Sequence, residues 1–259
     1  MPSSYFMTSF VQHLLASIGT SNGKKTKSGH EAGVIDMVDT FSRFLNQSIY
    51  WADFSRSKFL YISSHPLFLA GHTPKEIQKM GFSYYEKIIE PNDMRTIMVS
   101  NEIGFRFFNT QLPLDWRRNC YLAVDFRILQ EDGSYIMVTQ TMVPFQLSNE
   151  NKLISTLCFV SPSLSPKAGN AVIQNLSEPL QYRFNPETRR FYLRYQDELT
   201  PREKEILLRS GQGEPNSTIG DELNISVSTV KQHKRNIFRK LDVTNISEAI
   251  YYARYNRLI

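Results

Sequence analysis

The chain has 259 residues, with 30 Lys and Arg against 25 Asp and Glu, a formal net charge of +5, and two cysteines. That length accommodates two domains with separate cores. Two cysteines without metal-ligand spacing exclude a disulfide scaffold and a cysteine-rich zinc site.

In chain order, the apolar run Phe10–Ala16 is too short to span a bilayer and no basic stretch precedes it, so the chain reads as cytoplasmic and without membrane contact. From about Gly19 to Gly33 the chain is rich in Gly, Ser and Lys and is expected to be a flexible tether. Asp36 and Asp39 fall on a predicted helix, not at strand ends where a phosphoacceptor site would need them.

Ser48–Phe54 and Ser57–Ile62 carry aromatic and β-branched residues around a short polar turn and predict a hairpin. Short helices follow at Pro66–Ala70, at Pro74–Met80 (capped by Thr73 and stopped by Gly81) and at Ser83–Ile89. A longer helix opens at Pro91-Asn92-Asp93 and reaches roughly Phe108. Three strands come next. In Tyr121–Leu129, Leu122, Val124, Phe126 and Ile128 alternate with Tyr121, Ala123, Asp125 and Arg127, which predicts one apolar face. Glu131-Asp132-Gly133-Ser134 supplies a tight turn, Ser134–Pro144 pairs back, and Leu153–Val160 returns.

The order of hairpin, short helices and three-strand meander resembles the PAS sensor fold over roughly residues 40 to 162. Tyr84–Asp93, ending in Pro-x-Asp, is similar to that family's helix signature, and Glu131–Tyr135 to its hairpin. The resemblance implies sensing, pairing of subunits, or both, and a fold alone names no ligand. It admits an unidentified small molecule in this domain; no cofactor and no metal are predicted. Arg118-Asn119-Cys120-Tyr121-Leu122 is superficially similar to a flavin-photoreceptor motif. Cys120, however, follows the long helix and opens a strand. His65 and His72 flank a short helix, where a capping or surface role is expected ahead of haem ligation. Ala171–Leu176 is expected as a short helix. Tyr182–Phe184 and Arg190–Leu193 are expected as a small hairpin packed on a neighbouring domain, inside a linker over residues 164–198.

The last 61 residues carry the sharper signal. Thr200-Pro201-Arg202-Glu203 is a helix start with a capping box. A second start lies at Asn216-Ser217-Thr218, with Ile219 and Leu223 on one face, and Ser226 can cap a third helix over Val227–Leu241. On that helix Val230, Ile237 and Leu241 should face a core. Ser228, Lys231, Gln232, Arg235 and Arg239, at offsets of three, four, seven and eleven, share the opposite stripe, and the helix has no acidic residue. Such a helix suits the major groove, where Arg and Lys favour guanine and Gln favours adenine. Ten Lys and Arg against seven Asp and Glu from Leu199 onward agree with a DNA-facing domain.

Leu199–Leu207, Gly213, Ile219, Leu223, Ile225–His233 and Lys240–Val243 resemble the DNA-binding domain of LuxR-type transcription regulators. The resemblance implies base reading by Lys231, Gln232 and Arg235 and phosphate contacts at Thr229 and Lys234. The candidate DNA-contact set is Asn216, Ser217, Ser228, Thr229, Lys231, Gln232, Lys234, Arg235 and Arg239. Three positions depart from the family pattern. Arg209 stands where an apolar residue is usual, so the first helix is expected to be less deeply buried or to offer another phosphate contact. Pro215 and Thr218 replace the usual caps, leaving Asn216 to cap. Gly220 replaces alanine, at roughly 0.5–1 kcal/mol. In the final helix Ala249, Ile250, Tyr252 and Ala253 make an apolar stripe, expected to pair two subunits into a homodimer on near-palindromic double-stranded DNA.

The expected fold is α+β: a PAS-like antiparallel sheet with short helices, then an all-α, four-helix LuxR-type helix-turn-helix domain. The expected boundaries are 1–39 for an N-terminal helix and tether, 40–163, 164–198 and 199–259. The expected function is a non-enzymatic, sequence-specific transcription regulator whose PAS-like domain senses a ligand or partner, with RNA polymerase as a further contact. The alternatives are an acyl-homoserine-lactone receptor and a PAS adaptor that binds DNA weakly.

Overall fold

The computed structural model describes residues 27–45, 47–163, 165, 167–178, 180–195, 199–241, 243–255 and 258–259. The chain falls into two compact units, one over Lys24–Tyr195 and one built on Gln196–Ile259. The apolar run at residues 10–16 lies outside the described residues.

The first unit opens with helix α1 (Lys27–Leu45). The tether expected through Gly33 is therefore helical from Lys27. Val34 and Val38, one turn apart, are buried, and Asp39 accepts the Tyr61 hydroxyl at 2.9 Å. Tertiary packing overrides the weak helix propensity of this Gly- and Ser-containing stretch. Strands β1 (Ser48–Asp53) and β2 (Lys58–Ile62) form the hairpin. Four α-helices follow, α2 (Pro66–Leu69), α3 (Pro74–Met80), α4 (Tyr84–Ile88) and α5 (Pro91–Thr110), with a 3-10 turn over Gly81–Ser83 between α3 and α4. Thr73 and Glu76 form a capping box on α3, and Glu90 caps α5 by accepting from the N–H groups of Asn92 and Asp93.

The meander is β3 (Cys120–Leu129), β4 (Tyr135–Leu147) and β5 (Leu153–Pro162). Three further strands, β6 (Ala171–Asn175), β7 (Leu180–Asn185) and β8 (Arg190–Tyr195), belong to the same antiparallel sheet. Its order is β2-β1-β5-β4-β3-β6-β7-β8. The first five strands, with their helices inserted between β2 and β3, form a PAS-like domain, and the last three extend it.

Two expectations are corrected by this extension. Ala171–Leu176 is not a helix: residues 171–175 pair with Val124–Cys120 of β3. Short apolar runs do not separate strand from helix by periodicity alone, and here the exposed edge of β3 decides the matter. The segment expected as a linker is part of the first unit as far as Tyr195. A buried carboxylate holds the extension in place. Asp125 accepts from Thr139 at 2.5 Å, Ser163 at 3.1 Å and Asn170 at 3.0 Å, and its own N–H donates to the Asn170 carbonyl. Tyr182, Phe184 and Phe191 of β7 and β8 pack inward, as expected of a packed hairpin, while Tyr192 is exposed. Tyr182 packs against Phe107 and Trp116, and Phe191 against Phe107 and Phe184.

The main core lies between the sheet and the helices. Tyr50, Val124, Phe126, Ile128, Val138, Met142 and Val160 meet Phe68, Ile77, Tyr84, Ile88 and Ile97. Tyr121, Ala123 and Asp125 on the opposite face of β3 are buried too, so the alternation expected there does not separate buried from exposed. Asp93 fastens α5 to β3, taking hydrogen bonds from Arg127 Nε at 2.9 Å, Nη2 at 2.6 Å and the backbone N at 2.9 Å. That pairing holds the Asp93 carboxyl below the usual aspartate range.

Among the described residues the second unit has four helices, α6 (Pro201–Gly211), α7 (Asn216–Glu222), α8 (Val227–Leu241) and α9 (Ile246–Tyr255). They close around Ile206, Leu207, Ile219, Leu223, Val230, Ile237 and Leu241.

Candidate nucleic-acid interface

Helix α6 starts where its sequence dictates. Thr200 Oγ1 accepts the Glu203 N–H at 3.2 Å, and Glu203 Oε2 accepts the Thr200 N–H at 2.8 Å. The same Glu203 oxygen accepts from Lys240 Nζ at 2.7 Å. Glu203 is buried, and burial alone would raise its carboxyl pKa. The bonds from Lys240 and Thr200 outweigh burial and hold it below the usual range. This contact bolts the start of α6 to the last turn of α8.

Arg202 Nη2 donates to the Leu223 carbonyl at 2.7 Å, tying α6 to the end of α7. Arg209, standing where an apolar residue is usual, is gathered by Glu205, Glu214 and Glu222. Bonds from Glu214 and Glu222 raise its pKa. Its guanidinium is thus spent inside the domain, which removes the additional phosphate contact considered for it.

The turn into α8 is tight. Pro215, with no side-chain hydrogen bond, caps α7, so Asn216 is the helix's first residue and not its cap. Asn224 takes φ +53°, a left-handed conformation that asparagine tolerates better than most residues. The Ile225 N–H donates to the Gly220 carbonyl at 2.9 Å. A Cβ placed on Gly220 would lie 2.8 Å from the Ile225 carbonyl oxygen. Ser226 caps α8: its Oγ accepts the Thr229 N–H at 3.1 Å and bonds the Ser228 and Thr229 hydroxyls at 2.6 and 2.8 Å.

Helix α8 presents the two faces its sequence implies. Val230, Ile237 and Leu241 are buried, while Ser228, Lys231, Gln232, Arg235 and Arg239 are exposed. No carboxylate pairs with Lys231, Arg235 or Arg239 among the described residues. Gln232 Nε2 donates to Asn236 Oδ1 at 3.1 Å. Lys234 is half-buried at the edge of this face, and burial lowers its pKa. Thr229 is half-buried and engaged by the Ser226 cap, Ser217 is exposed, and Asn216 is half-buried.

Two of the four residues of the stripe expected on α9 face inward. Ala249 and Ala253 are fully buried in the unit's own core, and Ile250 and Tyr252 are half-buried against it. Ile250 packs over Gly211, where a Cβ would lie 2.7 Å from its Cδ1. A domain this small needs the small face of α9 to bring it onto α6. The spacing alone could not separate that use from subunit pairing.

Residues 197–253 match the GerE family, described as bacterial regulatory proteins of the luxR family. These residues form a LuxR-type helix-turn-helix domain. The LuxR-type domain is similar to transcriptional regulatory protein LiaR of Bacillus subtilis, 46% identical over 63 residues that cover 24% of this chain and 30% of that protein. It is also similar to response regulator protein VraR of Staphylococcus aureus, 43% identical over 61 residues covering 24% and 29%. The chain spans about a third of the length of the curated relatives it matches. Among solved structures, the PAS domain of a Colwellia psychrerythraea protein is 12% identical with a TM-score of 0.37, covering 50% of this chain and 97% of that one. The Vibrio cholerae VqmA dimer, a LuxR-type receptor, is 16% identical with a TM-score of 0.30, covering 85% and 86%.

In the PAS-like unit a cavity of about 30 Å³ lies between α5 and the sheet, walled by Gly104, Phe105, Phe108, Leu122, Met142 and Thr156. Cys120 opens β3, as the strand reading requires. Burial pushes its thiol, and that of Cys158, up to about 12. His65 caps α2, its Nδ1 accepting the Leu67 N–H at 3.3 Å. No helix among the described residues is long and apolar enough to cross a membrane.

What the sequence did not show was the set of anchors. Glu203 was legible as a capping residue, but its bond to Lys240 joins residues 37 apart in the chain. The Arg202 and Arg209 contacts likewise depend on how the helices pack.

Proposed function

We propose that the chain is a sequence-specific DNA-binding transcription regulator in which the PAS-like unit responds to a small molecule or partner and controls the LuxR-type domain. The observation that carries this reading is the state of the cations. Arg202, Arg209 and Lys240 are committed to carboxylates and a carbonyl within the domain. Lys231, Arg235 and Arg239 project from one exposed stripe of α8, with no carboxylate partner among the described residues. Such a stripe fits base edges and phosphates in a major groove. Lys231, Gln232 and Arg235 are the base readers in this proposal; Thr229 and Lys234, with Asn216 and Ser217 at the start of α7, are the phosphate side. Homodimerisation on a two-fold operator is part of the proposal, without a role for Ala249 or Ala253.

The test is selection of binding sites from random DNA followed by titration of variants of the intact chain. Lys231→Ala or Arg235→Ala should each cost roughly 1–3 kcal/mol at the selected site. Lys234→Ala should weaken all sequences about equally. Unchanged affinity in the Lys231→Ala, Arg235→Ala double variant would overturn the assignment.

A further inference from the structure

Val227 is the first residue of α8 and is 41% exposed. It belongs neither to the unit's core nor to the side chains packed against that core. Leu208 and Val227 are the large apolar side chains left exposed in this unit among the described residues, and Leu208 is on α6. Val227 stands four and eight residues before Lys231 and Arg235, so all three lie in one line on the exposed stripe.

Local stability does not explain a valine at this position. A β-branched residue loses rotamer freedom in a helix, and the positive end of a helix favours an acidic side chain, yet the first turn of α8 has none. The backbone there is nonetheless firmly set. Ser226 caps the helix, Ile225 donates to Gly220, and the missing Cβ of Gly220 admits the turn at close range. The domain thus holds a small, stiff apolar group at the leading end of its cationic stripe. The neighbouring Ser226, Ser228 and Thr229 hydroxyls are bonded to one another.

In the major groove one base-edge group is apolar: the C5-methyl of thymine. We propose that Val227 is a specificity-determining residue that packs against a thymine methyl. This rests on the DNA-binding reading given above. Four residues of helix advance about 6 Å, so the thymine lies next to, and not at, the base that Lys231 contacts.

The experiment uses the intact chain and its selected operator. Each thymine is replaced in turn by deoxyuridine, which removes only the methyl, and binding is measured for the native chain and for Val227→Ala. Alanine favours the helix, and an unchanged unfolding transition verifies the fold. At one position, equivalent in each half-site, deoxyuridine should weaken the native chain roughly fourfold, the worth of one buried methyl-sized group. The same replacement should leave Val227→Ala unaffected. Equal losses for both proteins at every position, or an operator without thymine there, would overturn the proposal while leaving operator recognition intact. Failure to select any DNA would sink the functional reading and this inference with it.

Discussion

Replacing Gly220 by Ala puts two physical effects in opposition. Glycine inside a helix costs roughly 0.5–1 kcal/mol relative to alanine, so on propensity the variant should be more stable. The structure reverses the sign. The added Cβ would sit 2.8 Å from the Ile225 carbonyl oxygen, a backbone atom that cannot rotate away as a side-chain end could. The turn is also closed from the other side by the Ile225 N–H on the Gly220 carbonyl at 2.9 Å, so relief strains that bond. Forcing an extra methyl into a packed site typically costs 1–3 kcal/mol; set against the propensity gain, the net loss is about 0.5–2 kcal/mol. Because the turn aims α8, specific DNA affinity should fall more than non-specific affinity. Both tryptophans, Trp51 and Trp116, lie outside residues 196–259. Tryptophan fluorescence therefore follows the PAS-like unit, and amide exchange in α7 and α8 follows the other. A rise in the protection of α7 and α8 of about 0.5–1 kcal/mol, with operator affinity unchanged, would refute the reasoning.

The Glu203 carboxyl is held below its ordinary value, so its folded pKa lies under its unfolded one. It contributes stability at neutral pH that is lost as pH falls through the depressed folded value. Glu203→Gln should lower the stability of the LuxR-type domain at pH 7 by about 1–3 kcal/mol and flatten its acid dependence, as urea titrations across pH would show. Arg127→Gln removes the side-chain donors to the buried Asp93; with Arg127 itself 41% exposed, the loss should be about 1–2 kcal/mol. The same change should move the Asp93 titration upward, seen by carboxyl NMR. Thiols raised to about 12 and buried should stay unalkylated in native protein at pH 8 and react only on unfolding, and rapid native labelling of Cys120 or Cys158 would contradict that burial.

The sequence was legible where local rules and tertiary demands agreed. The Thr200 and Thr73 capping boxes, the Ser226 cap and the two faces of α8 come from spacing alone, and the structure keeps them. It misled where a short segment could satisfy two periodicities. Ala171–Asn175 is apolar and brief, and the open edge of β3, together with the Asp125 carboxylate, makes it a strand. Lys27–Gly33 has the composition of a tether, but burial of Val34 and Val38 carries the helix back through it. On α9 the spacing of Ala249, Ile250, Tyr252 and Ala253 makes an apolar face, and these residues lie in or against the core. What that face packs against depends on how little core a domain of this size has.

The cations of the LuxR-type domain carry the same lesson into function. The excess of basic over acidic residues in this segment is small, and by itself it separates DNA binding poorly from ordinary surface charge. What separates them is how the acids are placed. Glu205, Glu214 and Glu222 surround Arg209, and Glu203 takes Lys240 at the end of α8. Every acidic group in these contacts lies on α6, on α7 or in the turn between them, and none lies on α8. The acids therefore neutralise the cations that hold the three-helix frame together and leave the exposed stripe of α8 uncompensated. An unpaired, rigidly mounted stripe can exchange its water and counterions for phosphates and base edges without first breaking internal ion pairs. The frame gains its cohesion from contacts that the exposed stripe does not share. A substitution in the frame, such as Glu203→Gln, should therefore act on DNA binding through the aim of α8, and one at Lys231 or Arg235 through contact itself.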